Sequence, residues 1–456
     1  MVYQFGTGVF LLGFVDWILE QLNEESDLNI QVLALKARPG DSALIEKINA
    51  HRGKYGVHLR GLLDGVVIDR RDLISCLTGA VNPFACTDQA VALAVNPSWQ
   101  WLISNTTEAG IQYTKQELSP AEVPQNFPAL LAYLLWQRFE RCGQQSAPGV
   151  QVLCCELIEN NAVHLKAIIK QHVQDWLLPT AFSDWLDKQC GFYNTLVDRI
   201  VTGGDTLWQG EVGSVSVIAE PFYEWVIEAP ATIAEQLRIP NNFSVILTDD
   251  LSSFRNRKVR ILNGVHTGTF AIALLSGIAL VSEAEAHPVV GRYMRDLART
   301  EIAPTLRRQH ADIDDYIDSI LERFANTAIA HRWQNIAMNA VSKWCARLMP
   351  TLIDAIHLQS EVRLIALSLA GLLVFYRREC LMQGHLLNDD ADVLSTMSRV
   401  WRNGESLPSQ VAELLQTTVL WGMDLSQFEV FSAQVVEWAL LLDEEGVESA
   451  LSSLYA

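Results

Sequence analysis

Positive charge is scarce in this 456-residue sequence: 34 Lys and Arg stand against 53 Asp and Glu, a formal net charge of −19. That balance argues against nucleic acid as a partner, because phosphate backbones are gripped by basic surfaces. It also means that an anionic substrate needs a locally basic pocket. Paired cysteines are missing as well. Cys76, Cys86, Cys142, Cys154, Cys155, Cys190, Cys345 and Cys380 include no CxxC pair, so neither a zinc site nor a disulfide framework is indicated. No metal is expected, and reduced thiols in a cytoplasmic protein are the simplest reading. The N-terminus shows no charged-then-apolar signal pattern. The one long apolar run, 261–281, is interrupted by Asn263, His266, Thr267, Thr269 and Ser276. It therefore reads as a helix buried in protein rather than a membrane span. Internal repeats and low-complexity segments are absent too.

What is present suits a large folded protein. Hydrophobic residues make up 49% and charged residues 19%, and the length exceeds one ordinary core, so two domains are expected. Residues 2–5 read as a short strand, Gly6-Thr7-Gly8 as a turn, and 9–22 as a helix. Strand, glycine turn and helix form the start of a dinucleotide-binding unit, in which the glycines let backbone approach a pyrophosphate at a helix N-terminus. The third glycine of a full GxGxxG is missing, since Gly13 comes too late. Residues 29–35 read as a second strand. Lys36 and Arg38 follow it where a ribose-binding acid often stands, with Asp41 a little later, so NADP stays open beside NAD. Residues 101–104 form a further strand, ending in the polar Asn105-Thr106-Thr107-Glu108, where an open α/β sheet binds ligands. Helices at 127–141 and 162–177 and strands at 150–154, 215–219, 225–228 and 244–248 continue an alternation that argues for a mostly parallel sheet. After Asp250 strand signals cease and helical periods take over. The boundary expected there gives an α/β Rossmann-type domain over 1–250 and a mostly α-helical domain over 251–456.

Lys258, Asn263 and His266 cluster at the head of the 261–281 run. On a helix of 3.6 residues per turn, His266 falls about 80° and Asn263 about 140° round from Lys258, so all three share one side. An ammonium, a carboxamide and an imidazole aimed at one point can hold an oxygen and exchange a proton with it, as carbonyl–alcohol chemistry requires.

With these residues the chain resembles the polyol-specific long-chain dehydrogenases, the family of mannitol dehydrogenase, fructuronate reductase and tagaturonate reductase. Lys258, Asn263 and His266 meet the family's Lys-x4-Asn-x2-His run. Gln4-Phe5-Gly6-x-Gly8 with Phe14-Val15-Asp16-Trp17, Ser104 to Ile111, Cys155-Glu156-Leu157-Ile158, Leu196 to Gly203 and Arg323-Phe324-x-Asn326 look most like its tagaturonate reductase branch. The resemblance spans nearly the whole chain. It implies an NAD-linked oxidoreductase that interconverts D-tagaturonate and D-altronate in hexuronate (galacturonate) breakdown. Fructuronate reduction, or dehydrogenation of mannitol or mannitol 1-phosphate, is the alternative within the family.

Carried over by position, Lys258 is the general acid/base. Asn263 and Asn161 hydrogen-bond the reacting oxygen, and His266 orients the substrate. Gly6, Gly8, Val9 and Phe10 line the cofactor turn, with Thr106, Thr107 and Glu108 beside the nucleotide. Asp198 belongs to the motif before the domain boundary and is placed on the substrate side without a chemical step. A uronate also brings a carboxylate, for which His331, Arg332 and Lys343 are the candidates. His331 stands five residues after Asn326, where the mannitol enzymes carry Asp. The implied partner is a small sugar acid, with neither nucleic acid nor membrane, on a monomer or small homo-oligomer. Val9 replaces a usual Asn, Leu11-Leu12 a pair that often ends in Arg, Ala162 a Gly and Thr327 a Pro. These departures touch the cofactor side more than the Lys-Asn-His set.

Overall fold

The computed structural model describes every residue except Asp27, Asp41, 204–214, 383–386 and Ala456, together with all side chains of those residues but Glu108, Ala109 and Ala234. The chain divides into two compact units, one made of Met1–Arg60 with Val67–Leu251 and the other of Gly61–Val66 with Ser252–Ala456. Among the described residues no helix is long and apolar enough to cross a membrane, and all eight cysteines are free.

The strands, in chain order, are β1 (Val2–Phe5), β2 (Val32–Leu35), β3 (Tyr55–Leu63), β4 (Val66–Ile74), β5 (Leu77–Val81), β6 (Trp101–Ser104), β7 (Gln151–Cys154), β8 (Gly191–Asp198), β9 (Val201–Gly203), β10 (Ser216–Ala219), β11 (Glu224–Glu228) and β12 (Val245–Thr248). Eight of them form a sheet in the order β12-β11-β8-β7-β6-β1-β2-β5, and the others form a smaller sheet in the order β4-β3-β10-β9. Strand β1 runs parallel to β2 and β6, with Phe5 level with Leu35 on one side and Ser104 on the other. Strand β11 runs antiparallel to β8. The alternation of a strand sets the two layers. Tyr3 and Phe5 join the core with the helix Phe127–Arg141, whereas Val2 joins the core with the helix Val15–Glu25. The helix expected over 9–22 is two helices, Val9–Gly13 and Val15–Glu25, broken at Phe14, whose φ of −121° and ψ of −74° lie outside the helical region.

A buried polar network sits under the first turn. Asp16 is wholly buried. Its Oδ2 accepts from the Tyr55 hydroxyl at 3.0 Å and, more weakly, from Gln4 Nε2 at 3.5 Å. Gln4 Nε2 also reaches the Gly6 carbonyl at 3.3 Å. Burial pushes the Asp16 carboxyl up to about 7. A carboxyl raised in the folded state stabilises fully below the ordinary carboxylate range and loses that stabilisation as pH rises toward 7. Asp16→Asn keeps an acceptor for Tyr55 but removes the titration. It is expected to raise the melting temperature at pH 8 more than at pH 5, and a parallel shift at both pH values would show that Asp16 does not titrate this way.

The second unit is helical. Its hub is the helix Gly264–Leu275 packed on Arg363–Met382. Glycines bring the backbones together: a Cβ on Gly371 would lie 2.8 Å from Ile272 Cδ1, and one on Gly268 2.5 Å from Leu297 Cδ2. The N-terminus of Arg363–Met382 is closed by Glu301, whose carboxylate accepts from the Leu364 and Ile365 amides at 2.7 and 2.8 Å. The segment Gly61–Val66 joins this unit through Glu322, which accepts from the Asp64 and Gly65 amides at 3.0 and 2.5 Å. The apolar run 261–281 is not one helix. It begins in a π turn and ends at Gly277, a left-handed residue with φ of +77°, before Val281–Ala286 starts anew.

Candidate active site

In the first unit the glycine turn lies between the C-terminal ends of β2 and β6. Gly6 has φ of +125°, donates to the Leu35 carbonyl at 3.0 Å, and would place a Cβ 2.8 Å from the Asn105 carbonyl oxygen. Conformation and space therefore both require glycine there. Gly8, just before Val9–Gly13, differs: an added Cβ meets no atom within 4 Å. The space over this helix start is open, its amides carry no side-chain cap, and Val9 is exposed. That is the cradle a pyrophosphate needs. Phe10 stacks on Phe14 at 5.0 Å. Gly13 takes on the packing task of the missing third glycine, since a Cβ there would lie 2.5 Å from Val201 Cγ1. Its carbonyl accepts from Arg199 at 2.8 Å.

Buried Glu156, a residue without an assigned role in the sequence reading, organises the strand ends. It accepts from Ser104 Oγ at 3.0 Å and from the Thr106 amide and hydroxyl at 3.1 and 3.3 Å. Thr107 is exposed, and the Glu108 side chain lies outside the described residues, as does Asp41. Asn161 needs correcting. It is 0% exposed. Its Nδ2 donates to the carbonyls of Glu156 and Thr195, both at 3.0 Å, and its Oδ1 accepts from the Thr195 amide at 3.2 Å. Both amide hydrogens are thus used on backbone, which makes Asn161 a brace between strand ends rather than a donor to a reacting oxygen. Asp198, buried at the end of β8, is level with Glu224 of β11 and also belongs to the first unit.

In the second unit Lys258 ends the helix Leu251–Lys258, and Val259–Asn263 follow as a π turn leading into Gly264–Leu275. Angles reckoned at 3.6 residues per turn therefore do not apply. A π turn pairs residues five apart, as an α turn pairs residues four apart. Asn263 thus stacks one turn above Lys258 and closer to it than the 3.6-residue arithmetic implies. Both side chains are half-buried. Arginines beside Lys258 in sequence have their own partners. Arg257 pairs with Asp312 at 2.7 Å, and Arg260 with Asp354 at 2.6 Å.

His266, one helical step on, is 7% exposed, and among the described residues its Nε2 has no hydrogen-bond partner. Its ring lies 4.4 Å from that of Phe324 and 5.0 Å from that of His331. Burial, and then the charges of His331, Arg347, Arg323 and Lys343, hold the His266 imidazole well below its ordinary range. His331 is held down likewise, by burial and Arg323. Lys343 and Arg347 share a face of Ala340–Arg347 at four-residue spacing. Lys343 Nζ donates to the Ile336 carbonyl at 3.0 Å, and Arg347 to Thr267 Oγ1 at 3.0 Å. Arg332 does not belong with them: it is exposed, and its backbone forms an isolated bridge with Leu280. Arg323 and Arg347 stand where the sequence reading had put Arg332. The signal for Arg347 was its four-residue spacing from Lys343. Among the described residues no three His, Cys, Asp or Glu side chains are grouped to hold a metal ion.

Two family models match the chain: the mannitol dehydrogenase Rossmann domain over residues 1–241 and the mannitol dehydrogenase C-terminal domain over 250–440. Similar sequences include the altronate oxidoreductase of Halalkalibacterium halodurans, 32% identical and covering 99% of this chain and 93% of that protein. That of Pectobacterium atrosepticum is 34% identical, covering 99% and 96%. Similar structures include D-sorbitol dehydrogenase in substrate-free form, with a TM-score of 0.79 at 17% identity, covering 99% of this chain and 94% of that one. The Pseudomonas fluorescens mannitol 2-dehydrogenase ternary complex with NAD and D-mannitol has a TM-score of 0.71 at 19% identity, covering 100% and 94%. At these identities the structures share the fold.

Proposed function

The chain belongs to the mannitol dehydrogenase family, as an NAD-dependent oxidoreductase acting on a CH–OH group, and we propose that its reaction is the reversible reduction of D-tagaturonate to D-altronate. The observation that carries this reading is the cluster of Arg323, His331, Lys343 and Arg347 around a neutral His266, in a chain whose net charge is −19. Such a concentration of cations suits a substrate carboxylate, which a neutral polyol lacks. The altronate oxidoreductases among the relatives are named for a sugar acid, which agrees with it.

The residues divide the work. Bound at the Gly6–Gly8 turn, NAD(H) supplies the hydride donor or acceptor. Lys258 gives a proton from Nζ to the carbonyl oxygen as that oxygen gains charge, and takes it back in the oxidation direction. Asn263 donates an amide hydrogen to the same oxygen. His266, kept neutral, offers Nε2 to a substrate hydroxyl. Arg347 and Lys343 receive the carboxylate.

NADH oxidation followed with tagaturonate, fructuronate, fructose and fructose 6-phosphate tests the reading, with NADPH as a second arm. Tagaturonate is expected to give the highest kcat/KM, at least about 100-fold above fructose, the size of two lost charge-assisted contacts. A preference for the neutral ketose or the phosphate ester would refute it. The cofactor assignment has its own test. Because a Cβ at Gly8 strikes no protein atom, Gly8→Ala is expected to leave the melting temperature unchanged while weakening NADH binding about tenfold, some 1.4 kcal/mol. Unchanged NADH affinity would move the pyrophosphate away from this turn.

A further inference from the structure

The first unit holds a second concavity that this chemistry does not use. An apolar cavity of about 220 Å3 is lined by Val2, Ile18, Leu22, Ile30, Trp101 and Trp225, among others. Val2 and Trp101 are the first residues of β1 and β6 and are partners in register. The glycine turn and Thr106 follow the opposite ends of the same strands. At about 3.3 Å per residue, a four-residue strand sets the two places more than about 10 Å apart. Open α/β sheets use the C-terminal ends of their strands for cofactor and substrate, so a cavity at the N-terminal ends is a separate site.

Its chemistry is specific. The walls are mostly aliphatic and aromatic. One of the wall residues, Trp225, has an indole N–H that is buried without a hydrogen-bond partner, an uncommon state for a buried donor. A dry apolar cavity of about 150 Å3 takes up benzene, so this one has room for a substituted ring. Beside it lies a roomier depression that shares Gln100, Trp101 and Gln236 with it and adds Gln151, Glu235 and Arg238, giving the cavity a polar mouth. We propose that this cavity binds a small neutral aromatic molecule carrying one hydrogen-bond acceptor, with the acceptor on the Trp225 indole N–H.

Acetophenone and ethylbenzene, matched in shape and differing in the acceptor, are the probes. They are titrated into the full chain without nucleotide, by calorimetry and by thermal shift. Both are expected to bind saturably, acetophenone at least threefold tighter. Trp225→Phe is expected to abolish that preference. Leu22→Trp, which fills the cavity, is expected to abolish binding of both while NADH binding persists, with Ile18→Phe serving if that variant does not fold. Absence of saturable binding by either probe, equal affinities in the unmodified protein, or undiminished binding to the filled variants would overturn the proposal.

Discussion

Lys258→Ala is expected to lower kcat by about 10²-fold or more in both directions, the low end of what a positioned acid–base group contributes. Hydride can reach a carbonyl carbon only as the oxygen's growing charge is neutralised, and Lys258 is the group assigned to do it. Its neighbours in sequence do not substitute. Arg257 and Arg260 are turned to Asp312 and Asp354, so the chain's local positive charge there is not a shared pool. The π turn that follows adds to the argument. It brings Asn263 over Lys258, so an ammonium and an amide can address one oxygen from adjacent positions. Single π turns in otherwise regular helices are frequent at functional sites. The loss should fall on kcat with little change in NADH affinity, because the cofactor turn is built by other residues. Steady-state kinetics, with circular dichroism to verify the fold, measure it; a variant that keeps most of its kcat would take Lys258 out of the chemistry.

Arg347→Met is expected to raise KM for tagaturonate about 10- to 100-fold, the value of one charge-assisted hydrogen bond of about 1.5–3 kcal/mol. Turnover of fructose should change far less. Burial brings the Arg347 guanidinium down to about 10, so it still carries its charge at neutral pH. The same side chain donates to Thr267, and a merely structural role would run through that bond. Thr267→Val separates the two explanations, since it removes the bond and keeps the charge. If Arg347→Met weakened both substrates alike, or Thr267→Val reproduced the effect, the carboxylate would have another receiver. His331→Asp complements the test, because a carboxylate there should turn preference toward the neutral ketose.

Much of this was legible in the chain. Strong local periods marked the helix Phe127–Arg141 and strands β1, β6 and β7, and the helical character after residue 250 followed from the disappearance of strand patterns. What was missed has identifiable causes. Strand β4 carries Asp69, Arg70, Arg71 and Asp72 on a largely exposed edge, so it reads as a polar loop. Strand β8 was obscured because Asn194, Thr195 and Asp198 are polar yet buried. Asn194 caps the helix Asn161–Asp175, accepting from the Ala162 and Val163 amides. Long-range pairings of that kind leave no local signal. Within the site, Lys258, Asn263 and His266 were visible by type and spacing, but the π turn between them was not. It depends on how Arg260 is held by Thr351, Thr305 and Asp354, residues 45 to 94 positions away. Asn161 shows the converse: a residue type suited to binding an oxygen is spent on two backbone carbonyls.

Chemical rescue tests the central assignment most directly. Lys258→Ala, assayed for tagaturonate reduction with added methylamine or ethylamine, should regain activity in proportion to the protonated amine, with larger amines less effective. If NADH still binds and no amine restores turnover, or if the variant never lost its rate, then the proton does not come from position 258.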